Sequence, residues 1–291
     1  MSAVYKRIAL IGKPDADRIA EILPPLYHRL CERGCEVVVE RGCVHIIADA
    51  AGIDMEQIGL RCDLAIVVGG DGSLLTVART LAEYRIPLIG VNLGRLGFLV
   101  DITPEHALAK IDEMLNGHYF SEQRYLLRAR VIRDGETVYQ QTAVNDVIVH
   151  SWSATSMIEL ETTINGAFLN SQRSDGLIVS TPTGSTAYAL SGGGPILHPT
   201  LKAIVLVPIN PHTLTNRPIV VSDDSVIDIA FRPSKQFRAQ IACDNISIPD
   251  IELQDKIRIT RDLSFSILHP NDYDFYEILR AKLNWSGGNR N

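Results

Sequence analysis

The stretch "LAIVVGGDGSLL", Leu64 to Leu75, fixes the class of fold from which the rest of the chain can be read. An apolar β-branched run ends at Gly69 and Gly70, a single carboxylate follows at Asp71, and Gly72-Ser73 leads into a new period. In that period Leu74, Leu75, Val77, Ala78 and Leu81 share one helical face. A strand that passes through a short glycine loop into a helix is the repeating unit of a parallel sheet with crossover helices. Outward from it, "RIALIG", "EVVVE" and "IPLIGVN" read as further strands, and "PEHALAKIDEMLNG" as a helix. "ADRIAEIL" starts a helix that the sequence predicts to be interrupted at Pro24 and Pro25.

The period changes from about Tyr119. Alternating strands follow, among them "LLRARVI", "VYQQTAVNDVIV", "IELETTI", "GLIVS" and "SVIDIAF", and the dipeptides Asp134-Gly135 and Asn165-Gly166 suit the φ > 0 positions of hairpin turns. This half should be antiparallel β. At the end "DYDFYEILRAKLNW" is helical, with Phe275, Ile278, Leu279 and Leu283 on one face, and it should dock back on the first domain.

Bulk composition narrows the classes of function. The 291 residues are 46% hydrophobic, enough for two domains each with a core, and the formal net charge of -6 offers no polycationic footprint for nucleic acid. No apolar run approaches the ~20 residues that span a bilayer, and "MSAVYKRIALIGKPDADR" turns charged too soon for a signal peptide. A cytoplasmic protein without membrane or nucleic-acid partners is expected. The five cysteines are scattered, and the histidines never fall into metal-ligand spacing, so neither a disulfide framework nor a protein-built transition-metal site is expected.

A loop at the carboxyl edge of a parallel sheet is where open α/β folds bind ligands, and Gly69, Gly70, Gly72 and Ser73 have the flexibility and free N–H groups of a phosphate-binding loop. The dinucleotide fingerprint GxGxxG fails, because Leu75 stands at its third glycine and Asn92 stands near the place of its ribose-binding acid. No GxxxxGK[ST] occurs either. Asp71 has two readings of equal weight. It is a helix cap or turn residue, or it is an acid with a task beside phosphate, such as taking a proton or holding Mg²⁺. Ser73, able to cap a helix beginning at Leu74, weakens the first.

Two segments of the β half crowd polar groups in the same way. Asn145 and Asp146 are adjacent in a strand pattern, where period two turns one of them inward, unless a strand end or bulge lies there. "NSQRSDGLIVSTPTGSTAYALSGGGPIL" offers Arg173, Asp175 and a run of hydroxyls from Thr181 to Ser191, suited to phosphate or ribose oxygens.

With "GGDGS", Asn145-Asp146, "SQRSDGLIVSTPTGSTAYALS" and "PHTLTNRPIV" in this order, the chain resembles the ATP-NAD kinase family, bacterial type, over nearly its whole length. "GGDG" alone is shared with sugar and lipid kinases, whereas "TPTGSTAY" separates NAD kinases from them. The resemblance implies an N-terminal Rossmann-like α/β domain, residues 1–118 completed by 270–291, and a C-terminal β-sandwich NAD-binding domain, residues 119–269. It implies transfer of the terminal phosphoryl group of ATP to the 2′-hydroxyl of the adenosine ribose of NAD, with Asp71 as general base and Mg²⁺ arriving with ATP. Gly72, Asn145, Asp146, Ser156, Arg173, Asp175, Thr186, Ala187, Tyr188, Ala189, Leu190, Ser191 and Asn245 would contact substrate. Asp146 stands where the family has Glu, and Asp244-Asn245 stands for part of its Asp-Gly-Gln. A homodimer or homotetramer is implied as well. The alternatives are another GGDG-type kinase with a sugar or lipid acceptor, and a non-catalytic dinucleotide-binding regulator.

Overall fold

Strand and helix alternate along the first hundred residues: β1 (Arg7–Gly12), α1 (Ile19–Glu32), β2 (Glu36–Glu40), β3 (Ala51–Ile53), α2 (Met55–Arg61), β4 (Leu64–Val68), α3 (Asp71–Leu81), β5 (Leu88–Val91) and α4 (Ala107–Leu115). The computed structural model describes residues 5–14, 18–47, 50–94, 96–152, 157–233 and 237–285, and the chain divides into two units, Met1–Gln123 with Ser264–Asn291, and Arg124–Leu263. The sequence pattern placed the corresponding limits at 118/119 and 269/270.

In the first unit the strands pair in the order β5-β4-β1-β2-β3, all parallel. Every residue of β4 is buried, as a strand covered on both faces requires. The chain winds outward from β1 through β2 and β3 and then returns to β4 on the other side, so the loop after β4 lies at the switch point where such sheets leave a crevice.

Two boundaries differ from those read in the sequence. Helix α1 runs through Pro24 and Pro25 without interruption. The prolines remove two N–H donors, at a cost of about 3 kcal/mol for an interior proline. Against this, Ile19, Ile22, Leu23, Leu26 and Leu30 are all buried along one stripe, each contributing roughly 1.5–3 kcal/mol, and burial wins. Helix α3 begins at Asp71, three residues before the expected start.

The second half runs β6 (Tyr119–Arg133), β7 (Glu136–Ala143), β8 (Asp146–Ser151), β9 (Ile158–Ile164), β10 (Ala167–Ser174), β11 (Gly176–Ser180), α5 (Tyr188–Ser191), β12 (Ala203–Ile209), β13 (Ile219–Ser222), β14 (Ile227–Phe231), β15 (Ala239–Cys243), β16 (Ile246–Ile248), β17 (Lys256–Pro270) and α6 (Phe275–Leu283). The second unit is a β-sandwich. One sheet has the order β13-β12-β11-β8-β15-β16, and the other is built from β10, β9, β14 and β17 with β6 and β7. Leu127, Leu160, Ile229 and Ile257 from one sheet share a core with Val147, Val179, Leu206 and Ile241 from the other. The hairpin turns fall at Asp134-Gly135 and Asn165-Gly166, all four residues at positive φ. The stretch read as one strand, "VYQQTAVNDVIV", is broken at Val144-Asn145 into β7 and β8.

The end of β17 and α6 belong to the first unit, where Ile267 pairs with Leu88 in parallel and α6 buries Phe275, Ile278 and Leu279. Asp274 caps α6 by accepting from the Tyr276 N–H at 2.8 Å.

Candidate active site

In the first unit the chemistry gathers around Asp71. Gly70 occupies the N-cap position in an extended conformation, and no side chain caps the helix. Asp71 is instead the first helical residue, and its carboxylate turns to a different segment of chain. Oδ2 accepts from the Phe98 N–H at 2.8 Å, and Oδ1 accepts from the Leu99 and Val100 N–H groups at 3.0 and 3.2 Å. The helix-cap reading of Asp71 is thereby corrected, and so is the capping role expected of Ser73. With the helix starting at Asp71, Ser73 already lies in its first turn and donates its own N–H to Gly70 O. Three charge-assisted bonds hold the carboxylate in one orientation.

The segment that holds Asp71 is itself fixed. Gly97 N–H donates to Val100 O at 3.1 Å, and the buried Asn92 side chain donates to Val100 O and accepts from the Gly94 N–H. Asn92 thus shapes a loop. Gly97 has a steric reason: a Cβ there would fall on Asp71 Oδ1 and lie 2.7 Å from its Cγ. Gly69 is buried, while Gly70 and Gly72 are exposed beside the N-terminal N–H groups of α3, which is the surface a phosphate oxygen can approach.

In the second unit Asn145 and Asp146 are gripped from both sides. Asp244, at φ 52° in the turn between β15 and β16, accepts N–H bonds from Val144 (3.0 Å), Asn145 (2.8 Å) and Asp146 (3.3 Å). From the other side Ser180 Oγ donates to Asn145 O and Thr181 Oγ1 to Val144 O. Gly184 completes the grip, since a Cβ there would fall on the Asn145 carbonyl, 2.5 Å from its carbon. Asp146 is buried, and that burial, joined by the charge of Asp244, pushes its pKa up to about 7.

The hydroxyl run splits in two. Thr181 Oγ1 also accepts from the Gly184 N–H, Ser185 Oγ donates to Pro182 O, and Thr183 Oγ1 accepts from the buried Arg124 guanidinium. These hydroxyls build the turn. Thr186 and Ala187 are half-buried, with Thr186 Oγ1 bonded to Thr183 O; Tyr188 and Ser191 are exposed, Leu190 is half-buried and Ala189 is core. Arg173 is exposed near the end of β10, and half-buried Asp175 accepts from Asn210 Nδ2 at 2.9 Å. Asn245 is exposed at its turn, and Ser156 lies outside the described residues.

Sequence reading missed Gly97, Phe98, Leu99 and Val100, and it gave Asp244 no clamping role. The glycines of "NLGRLGFLVD" and the turn dipeptide Asp244-Asn245 were the available signals. A cavity of about 380 Å³ in the first unit is lined by Asp101, Thr103, His106, Lys110, Asp272 and Tyr273 among others, and none of residues 69–73 lines it. The loop after β4 takes precedence as a candidate site because its donors converge. Among the described residues no group of three or more His, Cys, Asp or Glu is arranged to hold a metal ion.

Comparison with known proteins bears on this arrangement. Residues 8–119 match the family model of the ATP-NAD kinase N-terminal domain, and residues 144–263 that of the ATP-NAD kinase C-terminal domain. The chain is 58% identical to the NAD kinase of Methylococcus capsulatus, over 98% of this chain and 99% of that one. It is 48% identical to the NAD kinase of Cellvibrio japonicus, over 97% of each. Among solved structures, yeast NADH kinase complexed with NADH superposes with a TM-score of 0.89 at 23% identity, covering 98% of this chain and 89% of that one. An NAD kinase from Archaeoglobus fulgidus in complex with ATP gives 0.74 at 24%, covering 97% and 100%. At these identities the structures speak for the fold.

Proposed function

The chain belongs to the ATP-NAD kinase family, and from that membership we propose that it transfers the terminal phosphoryl group of ATP to the 2′-hydroxyl of the adenosine ribose of NAD, giving NADP and ADP, with Asp71 as general base. One observation carries the role of Asp71. A carboxylate in the first turn of α3, at the switch point of a parallel sheet, has both oxygens aimed by three backbone N–H groups from another segment and caps nothing in its own helix. A residue placed to cap would have no need of that arrangement.

A ribose hydroxyl is a poor nucleophile at neutral pH, so its proton has to leave as the phosphorus–oxygen bond forms. Asp71 receives that proton, the 2′-oxygen takes the phosphoryl group, and the electron pair of the broken bond leaves on ADP. Little covalent work falls to the protein in a loose phosphoryl-transfer transition state, so positioning and charge stabilisation dominate. The exposed N–H groups of Gly70, Gly72 and the start of α3 suit the phosphate oxygens. Mg²⁺ enters as part of the substrate, bound to ATP, and supplies charge neutralisation on the moving phosphoryl group.

Asn145 and Asp146 bind the ribose or nicotinamide portion of NAD, and Arg173, Asp175, the stretch Thr186 to Ser191 and Asn245 line the dinucleotide site, with Ser156 assigned there from its place in the sequence. In support, the backbone of Asn145-Asp146 is fixed on both sides, and Asp146 sits near its titration point, able to donate to or accept from a sugar hydroxyl. We read the protein as cytoplasmic, no described helix being long and apolar enough to cross a membrane. We also read it as a homodimer or homotetramer, which light scattering measures directly; β10, an edge strand, carries Phe168 63% exposed, a ready surface for a second copy.

The test is NADP formation from NAD and MgATP, read with an NADP-specific dehydrogenase, in the parent and in Asp71→Asn. The parent turns over, and the folded variant loses about 10²–10⁴-fold in kcat. Near-normal turnover by Asp71→Asn would remove the base assignment, and NAD binding without turnover in the parent would leave a regulator. A sugar or lipid acceptor is disfavoured by family membership, and competing acceptors in the same assay decide it.

A further inference from the structure

His269, the next-to-last residue of β17, has no exposed surface, yet it is surrounded by acid. Its Nδ1 lies 3.1 Å from Asp101 Oδ2, its Nε2 lies 3.4 Å from Glu122 Oε2, and the two carboxyl side chains are only 10% and 2% exposed. The titratable groups facing the ring are these two carboxylates, from the segment after β5 and from β6, and the phenol of Tyr273, whose ring stacks on it at 3.9 Å between centroids. The Nε2 contact is a charge contact without hydrogen-bond alignment, whereas the Nδ1 contact is a hydrogen bond. Among the described residues Asp101 Oδ1 is buried with no hydrogen-bond partner, and the imidazole is a group that faces this carboxylate.

A neutral ring here would remove the positive charge that faces two buried carboxylates, which is unfavourable. Burial on its own lowers the His269 pKa, but the hydrogen bond and charge of Asp101, with those of Glu122, outweigh it and raise it above the usual histidine value. The ring therefore holds its proton more firmly than a free imidazole, and in its charged form it clamps two elements of the first unit together.

What it clamps matters. Asp101 directly follows Val100, and Phe98, Leu99 and Val100 are the three residues whose N–H groups aim the Asp71 carboxylate. We propose that His269 is a positioning residue for phosphoryl transfer, holding Asp101 so that the adjoining backbone N–H groups keep Asp71 in register with the ribose hydroxyl. This rests on the reading of Asp71 as the base. The charge of the clamp is present while His269 is protonated and is lost as pH rises through its pKa, which weakens its hold on Asp101, so kcat falls on the alkaline side while substrate binding is kept.

A cycle of parent, Asp71→Asn, His269→Asn and the double variant tests this, with kcat and KM measured across pH. Asparagine keeps a donor toward Asp101 without the charge. We expect His269→Asn to lower kcat by about ten- to a hundredfold, the range in which small misplacements of a catalytic group fall. KM for NAD and for MgATP should stay within about twofold, and the alkaline decline should vanish. In the Asp71→Asn background the same change should alter kcat by less than about twofold, because the group being positioned is already gone. An additive effect in the double variant, or an undiminished kcat in His269→Asn, overturns the proposal. Full activity of Asp71→Asn overturns the base reading instead, so the two failures are distinct. Should His269→Asn fail to fold by circular dichroism, Glu122→Gln removes one of the two charges that raise the imidazole pKa and must move the alkaline decline to lower pH; an unmoved decline overturns the proposal.

Discussion

A single glycine measures how tightly Asp71 is held. At Gly97 an added Cβ would coincide with the Asp71 carboxylate, so Gly97→Ala forces either the carboxylate out of its three hydrogen bonds or the 97–100 segment off its anchors. We expect kcat to fall about a hundredfold, as for an ångström-scale misplacement, and stability to fall by about 1–3 kcal/mol from overpacking. Steady-state kinetics and urea unfolding on the same preparation check both; turnover close to the parent would show that Asp71 works without its donors. The acid itself was legible, because a carboxylate among phosphate-loop glycines is electrostatically out of place. Its partners were not. They lie 27 to 29 residues on, and a backbone N–H carries no trace of its acceptor in the sequence. Ser73 misled for a related reason: a hydroxyl before an apolar period is a local capping signal, and local signals yield when the chain is tied elsewhere.

At the level of elements the same device occurs twice. In each unit one aspartate gathers three consecutive N–H groups from a distant segment: Asp71 takes those of 98–100, and Asp244 those of 144–146. The second clamp breaks the long strand into β7 and β8, because N–H groups turned toward Asp244 cannot serve the ladder. Asp244→Asn keeps the left-handed turn, which asparagine tolerates, and keeps one acceptor oxygen, whereas Asp244→Ala loses both. Each buried donor left unpaired costs about 1–3 kcal/mol, so alanine should destabilise by at least about 2 kcal/mol and asparagine by less. If Asn145 and Asp146 hold NAD, KM for NAD should rise in the same order. Denaturant titration with NAD saturation curves reads the pair, and equal effects of the two variants would contradict the clamp. The turn was readable from the dipeptide Asp244-Asn245, but the hundred-residue reach of its side chain was not. Helix α1 shows the converse, a strong local stop signal at Pro24-Pro25 overridden by five buried side chains.

Over the whole molecule the change from helical to alternating period was plain, and so was the return of the last helix to the first unit. The chain passes between the units inside β6 and β17, where an unbroken strand offers no turn residues to mark the passage. Each unit also contains a buried group whose protonation is favoured by folding, and together they set how stability depends on pH. Asp146 in the second unit has a pKa raised to about 7 by burial and by Asp244, so its contribution is full below its unfolded value of ~3.9 and is lost as pH climbs to about 7. His269 in the first unit is also raised, and its contribution is full below ~6.5 and is lost above, as the imidazolium deprotonates. The carboxylates with lowered pKa act in the opposite sense. In Asp228 the penalty of burial is outweighed by Arg258 and Lys256, and Asp272 is lowered by its bond to Lys110; both contributions are present above ~3.9 and vanish as pH falls. Thermal midpoints should therefore be highest between about pH 4 and 6 and decline toward pH 8. Asp146→Asn, which never ionises, should melt with the parent near pH 4 and above it at pH 8, by an amount corresponding to a few kcal/mol in order of magnitude. Scanning calorimetry of both proteins from pH 4 to 8 measures the divergence. Parallel curves would mean that Asp146 is ionised at little cost in the folded protein, and that burial and Asp244 do not hold its proton.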